Sequence, residues 1–229
     1  MSLPKPYYEN ELGRIYHGDC LEILPHLDPV DLVLSDPVWG NSTKCNAQRF
    51  TRKNSPWWNN IDTSKVTPHD DLKNDDRPFD PAPLINQKAI LWGANNYASR
   101  LPDKNGWLIW DKRLGAEDMA EKGWPLGEAE LAWTNVIGAT RVFRNLWSGI
   151  LRSSEKGEHY HPTQKPIVLM EWCLKFCDGD VLDPYLGSGT TAVACERLKR
   201  RWIGIEIEEK YCEIAVKRIE AERKQLKLF

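Results

Sequence analysis

The run Leu32-Val33-Leu34-Ser35 has the composition of a buried strand, and Asp36, Pro37, Val38, Trp39 and Gly40 follow it at once. An ionised Asp beside a large aromatic ends a core strand poorly, because a buried charge without a partner is costly. The same pair suits a flat, polar molecule. The carboxylate accepts hydrogen bonds from its edge, and the indole covers its face.

A second constellation lies near the other end of the chain, in Val181–Leu198. A short strand ends at Asp183, Gly187-Ser188-Gly189 makes a tight turn, and a helix begins immediately. Such a turn brings backbone N–H groups and small residues to where a ligand approaches closely. The strand after that helix reads Trp-Ile-Gly-Ile-Glu-Ile and places Glu206 about twenty residues past the turn, where an acid accepts hydrogen bonds from ribose hydroxyls. No Gly-Lys-Ser/Thr follows, so the turn is not a P-loop. The competing reading is an ordinary strand-to-helix turn; the matching acid favours a nucleoside-bearing cofactor.

The elements that must position these groups alternate between strand and helix, which marks an α/β sheet. Expected strands are Arg14–His17, Asp31–Ser35, Ala89–Trp92, Trp107–Trp110, Ala129–Trp133, Val181–Leu182 and Trp202–Ile207, with a mixed extended stretch over Arg141–Leu151. Expected helices are Cys20–Leu27 with Asp19 as N-cap, Asn95–Leu101, Lys165–Cys177 stopped by Gly179, Thr190–Leu198, and Glu209–Leu226 with Tyr211, Ile214, Ala215 and Ile219 on one apolar face. Asn41–Asn86 breaks the pattern. It is polar, with a basic part (Lys44, Arg49, Arg52, Lys53) and then an acidic one (Asp70, Asp71, Asp75, Asp76, Asp80). A loop that long reads either as a lid or binding loop, at about residues 41–88, or as a solvated insertion.

At 229 residues the chain can bury one sizeable core, and one domain over 1–229 is expected. Its 41% hydrophobic and 28% charged residues are ordinary for a soluble protein. No apolar run approaches the ~20 residues of a membrane helix, and the N-terminus lacks a secretory signal's apolar region, so a cytoplasmic protein is expected. The six cysteines are scattered without zinc-finger spacing and read as reduced thiols, with no metal site. Cys173 and Cys177 are expected on one helix face. Net charge is −2, so a nucleic-acid partner must rest on local patches. Most of the eleven tryptophans read as packing; Trp39 and the Trp57-Trp58 pair do not go to the core by default.

The string Asp183-Pro184-Tyr185-Leu186-Gly187-Ser188-Gly189-Thr190-Thr191 resembles the Asp-Pro-Phe-x-Gly-Ser-Gly-Thr-Thr motif of the S-adenosylmethionine-dependent DNA amino-methyltransferases. His161–Pro166, HPTQKP, looks like the segment preceding the cofactor helix in that family, and SDPVWG occupies the place of its catalytic Asp-Pro-Pro-Tyr. The catalytic motif comes first and the glycine motif last, which is the permuted β-type order. The resemblance runs from about Arg14 to Ile219 and spares the Asn41–Asn86 loop. It implies a Rossmann-like methyltransferase fold, a mostly parallel sheet with helices on both faces. It also implies transfer of a methyl group from S-adenosylmethionine to an exocyclic amino group of double-stranded DNA, of the kind used in restriction-modification. A homodimer is compatible with it.

Matching positions carry the family's roles. Asp183 and the Gly187-Ser188-Gly189 turn are expected to hold the cofactor's methionine part, with Tyr185 and Thr190 also among the cofactor-binding residues. Glu206 is expected on the ribose, and Thr163, Gln164 and Lys165 along the cleft. Asp19 is expected near the adenine, as a helix cap, or as both. His161 reads as structural and Tyr211 as core. Asp36, Pro37 and Trp39 are the expected catalytic residues. An exocyclic amino nitrogen is a weak nucleophile, since its lone pair is delocalised into the ring. Asp36 and the Pro37 carbonyl can accept its N–H bonds and stabilise the positive nitrogen of the transition state. Stacking on Trp39, at about 1–3 kcal/mol per base, offsets much of the cost of extruding the base from the duplex. Proline fixes its own φ and helps hold its carbonyl.

Val38 departs from the pattern, where the family has proline. Asp before Pro favours adenine-N6 over cytosine-N4. Lys44, Arg49, Arg52 and Lys53, with Arg141 and Arg144, are the expected DNA contacts; Lys112, Arg113 and Arg152 lie nearby in sequence. Target recognition is expected within residues 115–151. An RNA or protein methyltransferase and a non-catalytic DNA-binding relative are the competing readings.

Overall fold

The computed structural model describes residues 3–40, 71–104, 106–113, 127–148, 151–155 and 160–226. At its centre lies Leu32–Ser35 (β3), four residues with no solvent-facing side. Parallel neighbours Val181–Asp183 (β10) and Ala89–Trp92 (β4) flank it. All three read as nearly continuous apolar runs because both faces of a parallel sheet are covered.

The remaining strands are Tyr8–Glu9 (β1), Gly13–His17 (β2), Trp107–Asp111 (β5), Ala129–Thr134 (β6), Arg141–Arg144 (β7), the small pair Trp147–Ser148 (β8) and Leu151–Arg152 (β9), and Trp202–Glu206 (β11). Among the described residues the main sheet runs β1-β2-β11-β10-β3-β4-β6-β5-β7. Strands β2, β11, β10, β3 and β4 are mutually parallel. Strand β6 runs against both of its neighbours, so its beginning lies beside the carboxyl end of β4.

Period-two alternation sorts the side chains onto two cores. Leu32, Leu34, Ile90, Trp92, Leu108 and Trp110 face one side, and Val33, Ala89, Leu91, Trp133, Leu182 and Ile205 the other. On the first side lie Ile167–Leu174 (α2), Thr190–Arg197 (α3) and Glu209–Leu226 (α4), with α3 packed between α2 and α4. The short helix Cys20–Ile23 (α1) contributes Cys20 and Ile23 to the second core, together with Phe79, Leu84, Ala94 and Tyr97. No helix of the described residues is long and apolar enough to cross a membrane.

Several local expectations change. The helix expected over Asn95–Leu101 is two 3-10 turns, Ala94–Asn96 and Ala98–Arg100, separated by Tyr97 at φ −137°. Tyr97 leaves the helical region to bury its ring and donate its hydroxyl to the Trp92 carbonyl at 2.7 Å. The first helix stops at Ile23 and continues as a 3-10 turn over Leu24–His26, whose Pro25 lacks the N–H an α-helix would use. Helix α2 begins at Ile167, not Lys165. Pro166 is extended and disfavours helical geometry in the residue before it, so Lys165 lies outside the helix. Cys177 lies past the end of α2, so it does not share a helix face with Cys173. All five described cysteines are buried and unpaired by disulfides.

Residues 41–70 lie outside the described residues, and with them Lys44, Arg49, Arg52, Lys53, Cys45 and the Trp57-Trp58 pair. The remainder of that stretch is not a solvated insertion. Asp75 is buried and accepts the Gly40 N–H at 2.8 Å, and Phe79 and Leu84 join the second core.

Candidate active site

The five parallel strands all end on one edge of the sheet, so the residues following them converge there. Strand β2 delivers Gly18 and Asp19, β3 delivers Asp36 to Trp39, β10 delivers Asp183 to Gly187, and β11 delivers Glu206. A cleft of about 300 Å³ is lined by these residues, by Thr163 to Lys165, by Ser188 and Thr190, and by Leu72 to Asp75 and Arg77 to Asp80. It thus gathers every expected catalytic and cofactor residue except Gly189. At φ +86°, Gly189 lies beneath α4, where a Cβ would come within 2.8 Å of the Ala215 Cβ; its missing side chain serves helix packing.

Asp36 and Asp183 emerge from neighbouring strands into different surroundings. Asp183 Oδ1 accepts the Ser35 hydroxyl at 2.6 Å and the Tyr185 N–H at 3.1 Å, and Oδ2 accepts the Thr191 hydroxyl at 2.6 Å. Burial pushes its carboxyl up from the usual range, and these three donors oppose the shift. Asp36 Oδ2 bonds the Lys165 ammonium, while Oδ1 is buried without a hydrogen-bond partner. Burial raises the Asp36 carboxyl to about 6 despite Lys165, with Glu130 adding to the rise.

Lys165 is shared. Its Nζ also lies 3.1 Å from Glu130 Oε2, and Lys112 Nζ reaches Glu130 Oε1 at 2.9 Å. Burial acts to raise the Glu130 carboxyl, but Lys165 and Lys112 outweigh it and hold Glu130 at about 2. Burial likewise acts against the Lys165 ammonium, and the two carboxylates overcome it and raise its affinity for the proton. Glu130 reaches this edge because β6 is reversed and starts here.

Trp39 is half-buried, with its indole laid over Gly93 at the end of β4; Gly93 has φ +71°, and a Cβ there would run into the ring. Its indole N–H has no partner. Val38 lines the same cleft.

At the glycine turn, Gly187 donates to Glu206 Oε2 and Glu208 to Oε1, both at 2.8 Å. Burial raises Glu206 to about 7 against these donors. The opposite wall carries Tyr185 and Phe79, whose rings meet edge-on at 5.8 Å. Asp19 caps α1 by accepting the Leu21 N–H at 2.9 Å, and its other oxygen lies 3.6 Å from Arg77. His161 packs edge-on against the buried Tyr211 at 4.4 Å, and its Nδ1 takes the Thr163 N–H at 3.3 Å. Gln164 accepts from the Tyr160 N–H and donates to Glu155. Arg218 on α4 is buried beneath the turn and donates to the Ser188 carbonyl at 2.7 Å and the Thr190 hydroxyl at 3.2 Å.

Of the expected DNA contacts, Arg141 and Arg144 are exposed on the edge strand β7, away from the cleft lining. Sequence reading missed Ser35, Phe79, Arg77, Glu130 and Arg218. Only Ser35 had a local signal, a hydroxyl at the end of an otherwise apolar strand.

The chain matches the DNA methylase family, the N6/N4 methyltransferases, over residues 46–217. It is 29% identical over 277 aligned residues to the Type II methyltransferase M.ScaI of Streptomyces caespitosus, covering 98% of this chain and 87% of that protein. It is 25% identical over 258 residues to the Type II methyltransferase M2.DpnII of Streptococcus pneumoniae, covering 96% and 94%. The solved structure of M1.HpyAVI in complex with SAM is similar at 25% identity with a TM-score of 0.53, over 91% of this chain and 99% of that one. The cytosine-N4-specific PvuII DNA methyltransferase shares the fold, with a TM-score of 0.56 at 17% identity over 93% and 88%.

Proposed function

The chain belongs to the N6/N4 DNA methylase family, and from that premise we propose that it transfers a methyl group from S-adenosylmethionine to N6 of adenine in double-stranded DNA. The observation that carries this reading is Asp36 Oδ1: a buried carboxylate oxygen with no partner, in the cleft that also holds the Trp39 indole and the Gly187–Glu206 turn.

The residues present fit the cofactor. Asp19, Asp36, Asp75, Asp80, Asp183, Glu206 and Glu208 outnumber the cations Lys73, Arg77 and Lys165 in the cleft lining, which suits a positively charged ligand. Gly187 leaves the turn open, since a Cβ there would project to 3.6 Å from His161 across the cleft. Glu206 is the ribose acceptor, and Phe79 and Tyr185 form an apolar wall for the adenine. Asp183, saturated by internal donors, supports the methionine end by fixing Ser35, Tyr185 and Thr191. When bound, S-adenosylmethionine supplies a methyl carbon on a cationic sulfur, which departs as a neutral thioether.

Asp36 Oδ1 and the Pro37 carbonyl accept the two N–H bonds of the target amino group. They thereby localise the nitrogen lone pair for attack on the methyl carbon. Positive charge develops on nitrogen as the new N–C bond forms, and Asp36 stabilises it until the surplus proton is released to solvent. Trp39 holds the extruded base by its face.

The test is incubation of the protein with unmethylated duplex DNA and methyl-labelled cofactor, followed by digestion to nucleosides and mass spectrometry. N6-methyladenine is expected. N4-methylcytosine as the sole product would overturn the choice of base, and label appearing only in RNA or protein would overturn the substrate class.

A further inference from the structure

We propose that Glu130 is a positioning residue for methyl transfer: by sharing Lys165 with Asp36, it keeps the reactive carboxylate turned so that Oδ1 faces the target base. This rests on the reading of Asp36 as the amino-group acceptor. Glu130 belongs to neither the Asp-Pro-Val-Trp nor the glycine motif and comes from β6, the strand that runs against its neighbours.

An ammonium has three N–H bonds to place. In Lys165 one is donated to Asp36 Oδ2 and one points toward the Thr163 carbonyl at 3.5 Å, while Glu130 Oε2 lies 3.1 Å from Nζ as an ion-pair partner that accepts no hydrogen bond. The Lys165 side chain is 6% exposed, so water does not substitute for any of the three. With Asp36 as its sole carboxylate partner, Lys165 would be free to bridge both oxygens of Asp36. That would occupy Oδ1 and cancel the negative charge that the developing cation on the amino nitrogen requires. Glu130 draws the ammonium away from Oδ1 and balances its charge. Lys112, on the far side, balances Glu130 in turn at 2.9 Å. The result is an alternating row of Lys112, Glu130, Lys165 and Asp36, with one acceptor left open at the end nearest the base.

The charged and titratable groups facing Asp36 are Lys165, Glu130, Asp183 from β10 and Tyr97 from the turn after β4. Among them Glu130 opposes ionisation of Asp36 and Lys165 favours it. Removing the Glu130 charge therefore lowers the pH at which Asp36 ionises, whereas removing Lys112 raises it.

The experiment compares wild type, Glu130→Gln and Lys112→Met as full chains. The readouts are the pH profile of kcat, KM for S-adenosylmethionine, and NMR titration of 13C-carboxyl aspartate in the absence of DNA and cofactor, with the Asp36 signal assigned from Asp36→Asn. Glu130→Gln is expected to lower kcat at neutral pH about 10-fold through misorientation and to leave KM for the cofactor within about twofold, since Glu130 does not line the cofactor cleft. It is also expected to move both the acidic limb and the Asp36 titration down by about one pH unit. Lys112→Met is expected to move both up by a smaller amount. Shifts of the same sign in the two variants, or no shift in either, overturn the proposal. If Glu130→Gln fails to fold, the sign of the Lys112→Met shift decides. Should wild type methylate no DNA, the functional reading fails, while the carboxyl titrations still report whether this row of charges governs Asp36.

Discussion

Asp36 and Asp183 invite comparison because they are the same residue type, each followed by proline, at the carboxyl ends of adjacent parallel strands. Asp183 spends its hydrogen-bonding capacity inward, on Ser35, Tyr185 and Thr191, and so ties two strand ends and the start of α3 together. Asp36 has one oxygen anchored on Lys165 and the other left open. The first is used up by the fold, whereas the second keeps an acceptor open toward the cleft. Burial raises both carboxyls, so burial alone does not distinguish them; the direction of their partners does.

The sharpest way to break this contrast is Asp36→Asn. Loss of the anionic acceptor is expected to reduce single-turnover methylation of DNA by about 10²–10³-fold. Cofactor affinity by calorimetry is expected to stay within a few-fold. A retained rate would remove the distinction between the two residues.

Asp183→Ala tests the other member. It strands two hydroxyls and one backbone N–H in a buried site, and a loss of about 3 kcal/mol in urea-induced unfolding is expected. Asp36→Ala should cost less, because Lys165 retains Glu130. The opposite ranking would mean that Asp36, not Asp183, holds the strand ends together.

A smaller effect is expected at Gly93. Gly93→Ala forces a side chain into a left-handed backbone position, at about 1–2 kcal/mol, and displaces the Trp39 indole. Fluorescence of 2-aminopurine at the target position should then report weaker capture of the extruded base. Unchanged fluorescence would separate Trp39 from base binding.

The mildest test uses pH. Asp36 and Glu206 are raised from ordinary values of 3.8 and 4.5 to about 6 and about 7. Between those limits the folded chain binds more protons than the unfolded one, so the contribution of these two groups to stability falls as pH rises. Activity is expected to do the reverse, since only the ionised Asp36 carries the charge proposed to stabilise the cationic nitrogen. From pH 5 to 7 the rate should rise several-fold while chemical-denaturation stability attributable to these groups declines. Parallel changes in both would contradict the assignment of Asp36 as the ionised acceptor.

Much of the fold was legible in the sequence. The apolar runs at β3, β4 and β10 are locally composed, and the last helix was bounded correctly at Glu209–Leu226 from its periodicity. The Gly-Ser-Gly turn and Glu206 could be paired because strand, turn, helix and strand follow one another without interruption. Less legible were elements shaped by a distant partner. Tyr97 splits an expected helix in order to bury its ring, and Asp75, in a stretch that reads either as a lid or as a solvated insertion, is buried on Gly40. Lys165 was expected along the cofactor cleft, and it does line that cleft, but its ammonium is directed to Asp36 and Glu130.

By itself, then, the sequence determined which groups arrive at the sheet's carboxyl edge and in what order, because strand ends, proline and glycine turns are set by the few residues that compose them. Tertiary structure decided what each group does on arrival. Lys165 meets Asp36 across 129 residues of chain, and Ser35 meets Asp183 across 148. Hydrogen bonds over such separations form only once the parallel strands are side by side. It is these bonds that saturate one carboxylate and leave the other an open oxygen.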